Sequence, residues 1–174
     1  MRIIVTKTEA YKLNELTHSA REKVLEKLWD INVDHEWWDC TYKDAKNIGL
    51  DVQEFDLNRR QICEGKFIES ARECAEQIIK EHGDKCETYT TAAAFLKSRD
   101  EIVDTTERDE NGDFANEWEL DKKLDEIEAE FLHDILEDYR IILQKEYEYL
   151  TSEAAIIETI EANDYEFTGD GRLI

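Results

Sequence analysis

The chain has 174 residues, 41% of them hydrophobic, with four tryptophans, seven tyrosines and six phenylalanines. That composition supports a packed core and excludes a disordered acidic chain. Forty-four acids against 22 bases leave a net charge of −22, which repels nucleic acid and anionic membrane, so neither is expected as a direct ligand. No run approaches the roughly 20 apolar residues needed to cross a bilayer.

The start, Met1 to Lys7, lacks the apolar stretch of a signal peptide and reads as a short strand. Thr17 or Ser19 can cap a first helix through Ile31, with Val24, Leu25, Leu28 and Trp29 on its apolar side. A second helix is expected over about Glu36 to Asn47, stopped by Gly49. Leu50 to Leu57 alternates with period two, as a half-buried strand does, and Gln61 to Phe67 can pair with it around Asn58-Arg59-Arg60. A third helix, about Ile68 to His82, presents Ala71, Cys74, Ala75, Ile78 and Ile79 and stops at Gly83. A fourth spans about Thr88 to Val103.

After a polar break at 107–116 comes the longest element, Glu117 to Leu150. Leu120, Leu124, Ile127, Phe131, Ile135, Tyr139 and Ile142 recur in steps of three and four, and Leu132, Leu136 and Leu143 widen the stripe. This is the pattern of a long amphipathic helix. Thr151 or Ser152 caps a short helix through Ala162, and Tyr165 to Ile174 reads as a hairpin closing the sheet. The expected fold is α+β, one domain over residues 1–174, predominantly helical with a small antiparallel sheet. Within it, residues 1–105 form a mixed α/β part, and residues 106–174 an acidic helical part ending in the hairpin.

Motifs for chemistry are missing. Cys63, Cys74 and Cys86 are spaced by 11 and 12, and the four histidines are scattered, unlike the close ligand pairs of zinc sites. The four cysteines, Cys40 included, read as reduced thiols. In Glu107 to Trp118, Asp109, Asn111 and Asp113 take calcium-loop positions, but Trp118 stands where a bidentate Glu is required. No G-x-S-x-G, P-loop or G-x-G-x-x-G occurs. No catalytic residue, metal or cofactor is therefore expected, and the chain reads as a binding protein.

Two surfaces are candidates for the binding. Residues 101–174 hold 24 acids and 6 bases, against 20 and 16 in residues 1–100. On the long helix, Glu119, Glu126, Glu130, Asp134, Glu137 and Glu148 lie opposite the apolar stripe with few lysines to balance them, and like charges one turn apart weaken a helix. Trp37 and Trp38 form the second candidate. Adjacent helical residues point about 100° apart, so both tryptophans bury only if the helix is enclosed. The alternative is one in the core and one on a contact surface.

The run Glu36-Trp37-Trp38-Asp39-Cys40, with Tyr42, Asp44-Ala45, Ile48-Gly49 and the tail, resembles a group of small acidic proteins carried by bacteriophages and prophages, some labelled antitoxin-like. The resemblance implies a cytoplasmic setting in a host bacterium and no active site. It also implies an anti-defence role, in which an acidic protein occupies the basic nucleic-acid channel of a nuclease or CRISPR complex. The leading expectation is therefore an anti-CRISPR or anti-restriction inhibitor that imitates DNA, with its acidic face on a basic host protein. The alternative is an antitoxin-like or regulatory adaptor using the Trp37 and Trp38 surface. The long helix serves equally for packing within its own domain or for pairing with a second copy.

Overall fold

A computed structural model describes residues 1–2, 7–33 and 36–174. The expected first strand falls mainly on residues 3–6, outside the described residues. The fold is α+β, with six α-helices and a two-stranded antiparallel sheet among the described residues. In chain order these are α1 (His18–Lys27), α2 (Asp39–Asn47), β1 (Leu50–Asp56), β2 (Ile62–Phe67), α3 (Ala71–Glu81), α4 (Glu87–Thr105), α5 (Glu117–Leu150) and α6 (Glu153–Ala162).

The chain makes two compact units, one of residues 1–37 and 145–174, the other of residues 38–144. The change of composition near residue 105 thus falls inside the second unit, at the end of α4.

In the second unit, the Gly49 backbone at φ +85° ends α2 and turns the chain into β1, a conformation glycine adopts without strain. Antiparallel pairing runs from Leu50 opposite Phe67 to Asp56 opposite Ile62, with a bulge at Gln53 between Val52 and Glu54. Gly65 faces that irregularity. A Cβ there would lie 2.6 Å from the Asp51 carbonyl oxygen and 3.1 Å from Leu136, so no other residue fits without breaking the pairing. At the turn, the Asp56 carboxylate accepts from the Asn58 and Arg59 N–H groups at 2.9 and 3.0 Å, which holds its pKa below the usual range. Ala45, Ile48, Leu50, Ala75, Ile78 and Ile135 form the centre of the core, with Phe95 and Phe131 at one side.

The first unit joins the chain's two ends. Leu13, Val24, Ile156, Ile160 and Phe167 bury one another. Asn32 ties the segment after α1 to two helix ends, donating to the Leu150 carbonyl at 3.0 Å and accepting from Thr159 Oγ1 at 2.6 Å. The tail does not extend the β1–β2 sheet as the sequence suggested. Phe167 instead bridges Tyr11 and Leu173, because the paired backbone of Tyr11 supplies its hydrogen bonds.

Other departures have local causes. The second helix starts at Asp39 rather than Glu36, since Glu36 sits at φ +67°, outside the helical region. α3 starts at Ala71 because Ser70 caps it, accepting from the Glu73 N–H at 3.2 Å, while Ile68 N–H still donates to the Gly49 carbonyl. α1 ends at Lys27, and Trp29 lies beyond it, 49% exposed rather than on an apolar face. On α5 the buried row Phe131, Ile135, Tyr139 and Leu143 advances in steps of four, about 40° each, and so drifts away from Ile142, which stays exposed.

Candidate functional site

The face of α5 opposite the core carries the carboxylates singled out in the sequence. Glu119, Glu126, Glu130, Asp134 and Glu137 follow in steps of seven, four, four and three, which keeps them on one side of the helix within the second unit. Glu148 belongs to the last turns of α5, in the first unit.

This face is more balanced than the bare sequence suggested. Lys123 reaches Glu119 at 2.8 Å, and this hydrogen bond lowers the Glu119 pKa. Lys122 lies 3.8 Å from Glu126. Arg140 grips Glu137 through two hydrogen bonds of 2.7 Å, a forked pair that holds the carboxyl below its usual pKa. Three of the six acids are thus engaged by bases of the same helix.

Glu130 and Asp134 differ, since neither makes an ion pair among the described residues. They stand one turn apart along a groove of about 340 Å³ between α4 and α5. The α4 wall consists of Thr90, Thr91, Ala94 and Ser98, and Ile127 adds to the α5 wall. Phe95 and Phe131 form the floor, their rings 4.4 Å apart and nearly parallel at 9°. One turn beyond Asp134, Asp138 accepts from Thr91 Oγ1 at 2.7 Å, and burial raises its pKa.

Trp37 and Trp38 are both half-buried, so neither the fully enclosed pair nor a clean division between core and surface holds. Trp37 packs on Tyr147 in the first unit at 5.7 Å between ring centroids. Trp38 meets Phe55 edge-on at 5.5 Å in the second, where Tyr42 also packs on Phe55 at 6.1 Å.

A polar group invisible in the sequence joins four helical segments of the second unit. The fully buried Tyr139 donates to Asp44 Oδ2 at 2.7 Å, and burial followed by this bond raises the phenol pKa. His82 Nε2, closed to solvent, lies 3.6 Å from Asp44 Oδ1, while His82 Nδ1 lies 2.8 Å from Thr88 Oγ1. These residues are separated by up to 95 positions, so no local pattern announces them. The hydroxyl beside the imidazole belongs to Thr88, which is buried at 3% exposure, so the geometry is that of a structural tie.

Asp109 accepts from the N–H groups of Asn111 and Asp113 at 2.8 and 3.0 Å, so the 107–116 segment closes as a tight turn around its own backbone. Arg108 stacks over the Phe114 ring at 4.3 Å and completes it. Among the described residues, no three of His, Cys, Asp and Glu cluster as a metal site, and no helix is long and apolar enough to cross a membrane.

The four cysteines are free thiols: Cys40 and Cys86 exposed, Cys74 buried and Cys63 half-buried. Burial pushes Cys63 up to about 11 and Cys74 up to about 12. Only the thiolate is nucleophilic. Iodoacetamide at pH 8 should therefore modify Cys40 and Cys86 first, and Cys63 and Cys74 only after unfolding. Intact-mass kinetics with and without urea would read this, and four equal native rates would contradict the burial.

Comparison of the chain with protein-family models, curated proteins and solved structures finds no match.

Proposed function

We propose that this chain is an acidic inhibitor, carried by a phage, that occupies a basic nucleic-acid-binding surface of a host defence complex, a nuclease or a CRISPR assembly. It acts by binding alone and performs no catalysis. The observation that carries this reading is the outward face of α5, where Glu130 and Asp134 make no ion pair among the described residues, in a segment of the chain holding 24 acids and 6 bases. A solvated helix ordinarily spaces acids with bases one turn away, and α5 does so only in part.

Magnitude limits how far the helix alone imitates DNA. Between Glu117 and Glu148 lie 12 acids and four bases, spread over roughly 48 Å at about 1.5 Å per residue. That is about one net charge per 6 Å, against one per ~3.4 Å along a single DNA strand. The reading therefore draws on the acids of 101–113 and of the tail as well.

Binding of this kind is fast and salt-sensitive. In a pull-down from host lysate with the tagged chain, a DNA-handling protein should be retained at low salt and released by a salt step. The purified pair should lose affinity roughly tenfold or more between low and high salt. An association indifferent to salt would overturn the reading. A salt-resistant small partner would favour the antitoxin-like or adaptor role instead. The observation that favours that second reading is the half-buried aromatic group of Trp38, Tyr42 and Phe55.

A further inference from the structure

The groove between α4 and α5 is lined by carboxylates on one side and hydroxyls on the other. Glu130 and Asp134 on the α5 side can only accept hydrogen bonds. On the α4 side, the Thr91 hydroxyl donates to Asp138 at 2.7 Å and so turns oxygen lone pairs outward. The exposed Thr90 and Ser98 hydroxyls rotate to suit a ligand and can accept as well. The floor is apolar, formed by Phe95 and Phe131.

A ligand that matches the two carboxylates carries donors and positive charge on an apolar stem. Among protein side chains only lysine and arginine meet all of these conditions. Arginine fits better. Its guanidinium holds five donors in one plane and is more weakly hydrated than an ammonium. Its methylene stem covers apolar groups while the head reaches carboxylates. The volume of about 340 Å³ lies at the small end of the ~300–1,000 Å³ usual for ligand sites, enough for a side chain and its flanking backbone. The fold also leaves the charge in the groove uncompensated. Lys122, Lys123 and Arg140 are engaged with Glu126, Glu119 and Glu137, while Glu130 and Asp134 repel each other one turn apart.

We propose that the α4–α5 groove is a pocket for an arginine side chain of a protein partner, bracketed by Glu130 and Asp134 and lined opposite by Thr90, Thr91 and Ser98. The proposal rests on the reading of the chain as a binder of basic protein surfaces and specifies where one residue of that surface is held.

The test uses acetylated tetra-arginine amide and tetra-lysine amide as probes, titrated into the isotopically labelled full chain at low ionic strength. Tetra-arginine should saturably shift the backbone resonances of residues 90–98 and 127–134, and tetra-lysine should bind several-fold more weakly. Glu130→Gln with Asp134→Asn should weaken tetra-arginine about tenfold or more, the scale of losing charge-assisted hydrogen bonds. The same double variant should melt no lower than the parent, since a like-charged pair is relieved. Glu26→Gln with Asp30→Asn removes two charges from another surface and should leave the affinity within about twofold.

Equal affinity for the two peptides, with shifts scattered over the acidic surface, would overturn the pocket and leave the acidic-binder reading standing. No binding of either peptide would overturn both. Specific binding of tetra-arginine in the groove, beside a salt-indifferent association with the host protein, would uphold the pocket and remove the inhibitor reading.

Discussion

Replacing Phe131 with alanine should cost the second unit about 3–5 kcal/mol, the range for deleting a large core aromatic ring. The whole stability of a domain is about 5–15 kcal/mol, so the variant should unfold at a much lower urea concentration or populate the unfolded state without denaturant. The ring is 2% exposed and lies in the middle of three stacked rings. Phe95 of α4 lies 4.4 Å away on one contact and Phe67 of β2 5.5 Å away on another, with interplanar angles of 9° and 17°. Each aromatic pair adds about 0.5–1.5 kcal/mol beyond the area it buries. The stack is where helix, helix and hairpin meet, and a cavity at its centre has rigid neighbours that collapse poorly. Phe131→Leu, which keeps most of the volume, should cost markedly less. Urea unfolding followed by circular dichroism gives both values. An alanine variant within about 0.5 kcal/mol of the parent, the scale of surface changes, would show that the stack contributes little.

Phe131 also marks how far local pattern carries. Its place in the stripe of α5 was legible because steps of three and four over many turns leave no other periodic reading, and the predicted ends at Glu117 and Leu150 are the observed ones. Short-range chemistry was legible as well. Thr17 and Ser152 cap α1 and α6, and Gly49 ends α2, because each acts within four residues of itself. What failed depends on partners distant in sequence. Ile142 shares the apolar pattern and stays exposed, since only the packing neighbours decide which edge of a broad stripe is covered. The tail was given the right turn and the wrong partner, because Tyr11, some 156 residues away, is invisible to any local rule. The candidate site follows the same division. The acidic row on α5 could be read from spacing, whereas its pairing with Lys122, Lys123 and Arg140 was not read there. That Glu130 and Asp134 line a groove with hydroxyls of α4 depends on how two helices pack, and no pattern within either one encodes it. The charge excess of the second half was plain in composition, whereas its division into paired and unpaired carboxylates required side-chain geometry.

The polar tie beneath that helix should be nearly as costly to disturb as the aromatic stack. Asp44→Ala removes the acceptor of a 2.7 Å charge-assisted hydrogen bond and leaves the fully buried Tyr139 hydroxyl without a partner. A buried donor left unsatisfied costs about 1–3 kcal/mol, and the lost bond to a charged group about 1.5–3 kcal/mol, two overlapping descriptions of one loss, so about 2–3 kcal/mol is expected. Tyr139→Phe is milder. It deletes the donor, and Asp44, with 52% of its side chain exposed, takes water in its place, for a cost of about 1–2 kcal/mol. Because burial and the carboxylate both raise the phenol pKa, Tyr139 remains the donor under all ordinary conditions, and the cycle need not be corrected for its ionisation. If the bond itself is the source of stability, the double variant should be little worse than Asp44→Ala alone, with a coupling of about 1–2 kcal/mol. Additive losses would mean instead that the two side chains act separately. Tyr139 would then contribute through the area its ring buries, and Asp44 through the His82 imidazole, whose Nε2 lies 3.6 Å from its other oxygen.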